Sequence, residues 1–393
     1  MKILGIETSC DETAISVLEY EAKKRRFRLL ANFVYSQIAI HKPFGGVVPN
    51  LAKREHQKNL VPILELALQK AGLLKKKESR IKDNKLKKIE EILIKEELLA
   101  KNSLNFLAKY QKPKIDLIAV TKGPGLAPAL WPGVNFSRAL SFYWQIPLVG
   151  INHLEGHIFA NWLPKKEMVW EQIKIPKNLF PSLSLIVSGG HTQLVLIKKL
   201  GEYKIIGETR DDAAGECFDK TARLLNLGYP GGPAISKEAE KIKQGIHYSL
   251  KLPRPMINSK DYDFSFAGLK TAVLYLVEEL KKRGVDLKKI RPIIAKEIQD
   301  SINEVLVTKT IRAAKNFKTR SIILGGGVTA NENLKILLIN EAQKNLPKIP
   351  LLIPEKKYTG DNAAMIALVG WFRKKSARFD NWKKVEADAN LKL

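Results

Sequence analysis

One plan is written twice in this chain, and that repetition limits the fold more than any other feature. Ile3 to Ile6 is a short apolar run that turns at Glu7-Thr8-Ser9-Cys10-Asp11-Glu12 and resumes from Thr13 to Leu18. Apolar run, tight polar loop and apolar run read as two paired strands. Leu183 to Val187, then Ser188-Gly189-Gly190-His191-Thr192, then Gln193 to Ile197 repeat the pattern. Each pair is followed by a buried-type strand that enters a glycine turn and a helix. These are Ile115 to Val120 with Gly123-Pro124-Gly125, and Ser321 to Leu324 with Gly325-Gly326-Gly327. Either hairpin alone is an ordinary element, but the repeated order implies two related halves.

Strand, glycine turn and helix make α/β architecture, with ligand loops at the carboxyl ends of the strands. Two halves of this plan are the organisation of actin, Hsp70 and the sugar kinases. The expected fold is therefore α/β, two-lobed and actin-like. Residues 1–150 would form the N-terminal lobe and 151–393 the C-terminal lobe, with the chain end returning toward the first. From Leu73 to Lys114, thirteen Lys and Arg stand against six Asp and Glu, which supplies +7 of the net +27. Leu86, Ile89, Leu93, Ala100, Leu104 and Leu107 give this stretch the apolar side of one or two amphipathic helices. It reads as a Lys-rich helical insertion in the first lobe that covers a neighbouring surface or touches RNA.

A net charge of +27 suits a polyanionic partner, nucleic acid first, or a solvated Lys-rich face. Cys10 and Cys217 are the two cysteines; they lie far apart and make no CxxC, which fits a reducing cytosol. Acidic Glu7, Asp11 and Glu12 near the start are unlike a signal peptide. No apolar run approaches the ~18 residues a bilayer span needs, so a cytoplasmic protein without a membrane role is expected.

Two of the six histidines, His153 and His157, stand four apart in Asn152-His153-Leu154-Glu155-Gly156-His157. On a helix that spacing puts both imidazoles on one face, where they can reach one metal ion. The same spacing is also met by ordinary half-buried pairs. A third ligand would come from elsewhere, and Asp361, between Gly360 and a small-residue helix, is the best candidate. His41 and His56 are candidates for substrate or partner contacts, or are surface residues. Asp211, Asp212 and Asp219 are spaced to share a helical face toward a cleft, and Gly228 to Pro233 forms a stiff turn.

Nine segments in fixed order carry a family resemblance. They are Gly5 to Thr13, Gly45 to Pro49, Gly123 to Leu126, Asn152 to His157, Val187 to Thr192, Asp211 to Thr221, Tyr229 to Pro233, Gly325 to Val328 and Asp361 to Met365. The chain resembles the TsaD family, tRNA N6-adenosine threonylcarbamoyltransferases formerly called O-sialoglycoprotein endopeptidases. His191 after the glycine pair is similar to the bacterial branch. The resemblance implies one divalent metal, iron in preference to zinc, on His153, His157 and Asp361. It implies that Ile186, Val187, Ser188, Gly189, Gly190, Asp219, Gly232 and Asn331 line a pocket for threonylcarbamoyl-AMP. It also implies transfer of the threonylcarbamoyl group to the exocyclic amine of the adenosine 3′ of the anticodon, in tRNAs reading codons that begin with A. AMP leaves. TsaB-like and TsaE-like subunits would be partners, and a TsaC-like enzyme would make the adenylate. Asp11 and Glu12 are candidates for orienting or deprotonating groups.

The sequence departs from the family at Ala39, Asn50 and Lys53, at Pro128 and Pro132, in the long 73–114 segment and in residues 385–393. Pro128 and Pro132 put the start of their helix in question. A non-catalytic TsaB-like scaffold would lack the two histidines and Asp361. A metalloprotease would need Glu where Leu154 follows the first histidine.

Overall fold

The computed structural model describes residues 1–78, 85–242 and 250–393. Residues 79–84 of the Lys-rich segment therefore lie outside the described residues. In chain order the first elements are β1 (Lys2–Glu7), β2 (Glu12–Glu21), β3 (Arg26–Ser36), α1 (Ile38–His41), α2 (Pro49–Lys70), α3 (Lys85–Ile92) and α4 (Glu97–Lys109). Then come β4 (Leu117–Gly123), α5 (Ala127–Trp144), β5 (Leu148–Asn152), α6 (His153–Phe159) and β6 (Trp170–Glu171). The second plan follows as β7 (Ser182–Val187), β8 (Thr192–Lys199), β9 (Glu202–Glu208), α7 (Ala214–Leu224), α8 (Gly231–Ala239), α9 (Ala267–Lys282) and α10 (Leu287–Asn316). The chain ends with β10 (Ser321–Gly325), α11 (Glu332–Asn345), β11 (Leu351–Leu352) and α12 (Ala363–Phe372).

The duplication is explicit in the sheets. One has the order β5-β4-β1-β2-β3-β6 and the other β11-β10-β7-β8-β9. In each, a hairpin pair (β1/β2, β7/β8) is antiparallel, and the strand that enters the glycine turn (β4, β10) lies parallel to its first member. The chain divides into two compact units. One comprises residues 1–39, 47–174 and 361–393, the other 40–46 and 175–360. The limit of 150 expected from sequence falls inside β5, and the first unit runs on to Lys174, so α6 and its histidines belong to it. The reason is pairing: β5 is hydrogen-bonded to β4 along its length and cannot be parted from that sheet.

In the first unit, Leu4, Ile6, Ile15, Val17, Ile118 and Val120 form the sheet side of a core that α2 and α5 cover. The Lys-rich insertion joins this core. Ile89 in α3, Leu93 just after it, and Leu99, Phe106 and Leu107 in α4 are buried in it, while Lys85, Lys87, Lys95, Lys101 and Lys109 are exposed. α5 begins at Ala127 despite its two prolines. Pro128 sits in the first turn, where the missing N–H has no helical partner to lose, and Pro132 costs one internal hydrogen bond.

α12 packs on the first sheet through small residues. A Cβ at Gly5 of β1 would come within 2.3 Å of the Ala363 carbonyl, and one at Gly370 within 2.5 Å of the Ala119 Cβ. Gly156 of α6 meets Met365 and Ile366 in the same way, at 3.1 and 3.0 Å from their side chains. Gly5→Ala should therefore force α12 away from β1. It should lower unfolding stability by about 1–3 kcal/mol, the usual cost of overpacking, read as a drop in the urea midpoint.

Candidate functional site

α6 starts where β5 ends. Asn152 caps it, its Oδ1 accepting from the Leu154 N–H at 2.9 Å and the Glu155 N–H at 3.3 Å. His153 and His157 project from one face, and both are buried. Asp361 arrives one residue before the cap of α12, where Asn362 Oδ1 accepts from the Met365 N–H at 3.1 Å. The two Nε2 atoms are 3.1 Å apart. Asp361 Oδ1 lies 3.4 Å from His153 Nε2 and 3.1 Å from His157 Nε2. Three donors bound at ~2.1 Å to one centre would be roughly 3.0 Å apart at right angles and roughly 3.4 Å apart in a tetrahedron, so the residues fit a metal ion. Among the described residues this is the only group of three or more His, Cys, Asp or Glu side chains so placed. Two imidazoles and one carboxylate suit Fe2+ or Zn2+ and leave coordination positions free.

Glu7 was not singled out from the sequence, and it is the residue that aims His153. Its carboxylate is fully buried, with Oε2 3.0 Å from His153 Nδ1. The same oxygen accepts from Thr121 Oγ1, and Oε1 accepts from the Ser9 N–H, both at 2.5 Å. A carboxylate on Nδ1–H fixes the tautomer that turns a lone pair on Nε2 toward the site. The signal in the sequence was an acid ending an otherwise apolar strand.

Electrostatics follow from these neighbours. Burial pulls the His153 pKa down, but Asp361 and then Glu7 together raise it well above the ordinary value in the metal-free protein. Burial pushes Asp361 up, and His153 and His157 hold its carboxyl well below the usual range. Glu12, at the start of β2, goes the other way. Burial, then the charges of Asp11 and Asp361, raise it well above the usual carboxylate range. Burial, then Asp11, Asp361 and Glu12, likewise raise the Cys10 thiol, which argues against a thiolate nucleophile.

His56 is buried and supports this loop from α2. Its Nε2–H donates to the Cys10 carbonyl at 2.9 Å, and Nδ1 faces Thr13 Oγ1 at 2.7 Å. The expectation of a contact residue gives way to one that braces the 10–13 turn, and His41 is buried as well. Glu155 pairs with Arg373, Oε1 to Nη2 at 2.8 Å and Oε2 to Nε at 3.2 Å, so it is no protease base.

In the second unit, Ile186 to Gly190 lie at the carboxyl end of β7 and Asn331 follows β10, whereas Asp219 lies on α7 and Gly232 on α8. Gly326 has φ +92°, and a Cβ there would strike the Val187 carbonyl at 2.3 Å, which locks the two turns together. Gly189, Gly190 and Gly232 have no atom within 4 Å of a would-be Cβ. Packing within the protein therefore does not explain them. Asp219 Oδ1 accepts from the Gly231 N–H at 2.6 Å and orders the start of α8. Asn331 caps α11 and donates from Nδ2 to Ser236 Oγ and Gln299 Oε1, both at 3.0 Å. Asp211 and Asp212 do not share a face with Asp219, because α7 begins only at Ala214. Asp211 instead accepts from the N–H groups of Phe266 and Ala267 at the start of α9, and Asp212 pairs with Lys220 at 2.6 Å.

The chain is thus an actin-like α/β protein with a two-histidine, one-carboxylate metal-binding geometry in one unit and open glycines after a strand end in the other. A structural likeness agrees with the fold. HypF from T. kodakarensis aligns with a TM-score of 0.52 at 12% identity, over 95% of this chain and 48% of that one. The model of the family TsaD, tRNA N6-adenosine threonylcarbamoyltransferase, matches residues 28–81 and 96–368. The protein of that name from Thermosipho africanus is 41% identical over the full length of both chains. That from Thermomicrobium roseum is 41% identical over 95% of this chain and 92% of its own. The chain belongs to this family and is a transferase acting on adenosine N6 in tRNA.

Glu7→Gln should weaken metal binding by about 10–100-fold, the usual cost of losing such a partner, as read by Co2+ titration. Because the proton on His153 persists above the ordinary imidazole pKa, metal must displace it. Affinity for Co2+ should therefore rise with pH between about 6 and 8, with proton release visible in calorimetry.

Proposed function

We propose that the chain moves the threonylcarbamoyl group from threonylcarbamoyl-AMP to N6 of the adenosine 3′ of the anticodon, in tRNAs reading codons that begin with A. The observation that carries this reading is the convergence of His153, His157 and Asp361 on one point, in a chain of this family. These residues hold one divalent metal, Fe2+ in preference to Zn2+. Bound there, the ion supplies Lewis-acid stabilisation of charge growing on the carbamoyl or phosphate oxygens.

Ile186 to Gly190, Asp219, Gly232 and Asn331 position the adenylate, their open glycines letting backbone N–H groups approach its phosphate. The N6 lone pair attacks the carbamoyl carbon, the bond from that carbon to the phosphate oxygen breaks, and AMP leaves with the electron pair. N6 gives up one proton. Glu12, whose carboxyl is raised by burial and then by the charge of Asp11, is the candidate to orient N6 or accept its proton in this exchange. With Cys10 held as a thiol, direct attack without a covalent enzyme intermediate is the route the residues favour. The net charge of +27 provides for tRNA phosphates, and binding should fall steeply with salt. TsaB-like and TsaE-like subunits are the partners of this reading, and the cytoplasm is its compartment. Among the described residues no helix is long and apolar enough to cross a membrane.

The test is a transfer assay with unmodified tRNA, threonylcarbamoyl-AMP and the partner proteins, with and without chelator, read by mass spectrometry of nucleosides. Product should form, and should vanish with chelator. His153→Ala should lose metal and product together. Undiminished product in chelator, or full metal occupancy in His153→Ala, would overturn the metal assignment.

A further inference from the structure

The family model's match ends at residue 368, yet the residues beyond it reach the histidine helix. They first run along β5, the edge strand of the first sheet. The Leu148 N–H donates to the Arg378 carbonyl at 3.1 Å, and Asn381 Nδ2 donates to the Leu148 carbonyl at 2.7 Å. Trp382 packs tilted against Phe142 of α5 at 4.9 Å between centroids, and Arg138 donates from Nε to the Trp382 carbonyl at 2.7 Å. Val385 is buried over Gly150. The chain then crosses the carboxyl ends of β4 and β5. The Asp388 N–H donates to the Lys122 carbonyl at 2.7 Å, and the Gly125 N–H donates to the Ala389 carbonyl at 3.2 Å. Last, Asn152 Nδ2 donates to the Lys392 carbonyl at 3.1 Å.

We propose that residues 385–392 are a strap that positions α6, and with it His153 and His157, through Asn152 and the Gly123–Gly125 turn. Two routes connect strap and histidines. The first is the Asn152 amide, which has one accepting and one donating end. With Lys392 taking a hydrogen from Nδ2, Oδ1 is left facing the Leu154 and Glu155 N–H groups, so the carbonyl sets which way the cap is turned. A cap fixes the first turn of a helix, and His153 is its first residue. The second route runs through Gly125, held by Ala389 and pressed against Ser9, whose carbonyl would lie 2.6 Å from a Cβ there. Ser9 in turn touches His153 Nδ1 with its hydroxyl at 3.2 Å and Glu7 with its N–H at 2.5 Å. Asn152 is thus a positioning residue, and the strap is what orients it. This inference rests on the metal reading of the histidine site.

The test uses the full chain with Asn152→Asp, with Asp388→Pro and with both. Asn152→Asp keeps a capping oxygen but meets the Lys392 carbonyl with a second acceptor. Asp388→Pro removes the N–H that ties the strap to Lys122. Each should weaken Co2+ binding by about tenfold and alter the cobalt absorption band. Each should also speed amide exchange in 153–159 while exchange in α10 stays as it was. The double variant should weaken binding by less than the product of the two single effects, since both changes release the same strap. Unchanged cobalt affinity and unchanged exchange in 153–159, with exchange in 389–392 raised, would overturn the strap. If the unaltered chain binds no cobalt, the metal reading falls, and exchange in 153–159 decides the strap by itself.

Discussion

The close contact of α12 with β1 and α6 is the interaction on which the candidate chemistry depends. Helices rarely approach a strand so tightly, and here Gly5, Gly156, Ala363 and Gly370 remove the side chains that would prevent it. That contact draws in Asp361 from more than two hundred residues along the chain and sets it 3.1–3.4 Å from two imidazole nitrogens. Buried without one another, these groups would be costly: a carboxylate out of water and two rings with their lone pairs turned inward. Together, with a cation or a proton among them, the charges are matched. The depressed Asp361 and the elevated His153 express that pairing in the metal-free protein.

Around this point the structure is built in layers of support. Glu7 aims His153, Ser9 and Thr121 hold Glu7, and His56 fixes the turn on which Ser9 and Cys10 sit. The carboxyl ends of β1, β4 and β5 supply Glu7, Thr121 and His153, which is where parallel strands place ligands. Each layer is buried, so each lost hydrogen bond would leave an unpaired polar group rather than a solvated one. A site made this way tolerates little displacement. That is the physical ground for expecting residues distant from the metal to matter to it.

The second unit follows the same plan toward a different end. The corresponding end of β7 carries Gly189 and Gly190 with open space before them, where β1 ends in Glu7. In the proposed reading, duplication yields one place for a cation and another for an anionic ligand held by backbone N–H groups. The Lys-rich segment has a third task. Its apolar side closes the core over α5, and most of its described lysines remain outside.

The sequence by itself determined the repeated strand plan, because alternation of apolar runs with glycine turns is local information. It also marked the two histidines, since a spacing of four is a property of one helix. Asp361 was legible as a Gly-Asp step before a small-residue helix. Only the tertiary structure decided the rest. The break between units could not be read at residue 150, because β5 owes its place to hydrogen bonds with β4. Asp211 and Asp212 looked like cleft carboxylates until the start of α7 at Ala214 turned them into a cap and an ion-pair partner. Glu7 and His56 took their roles from neighbours far along the chain, and residues 385–392 theirs from Lys122, Gly125 and Asn152 at the strand ends they cross. Spacing reports what one segment can present, whereas partners a hundred residues away exist only once the chain has closed on itself.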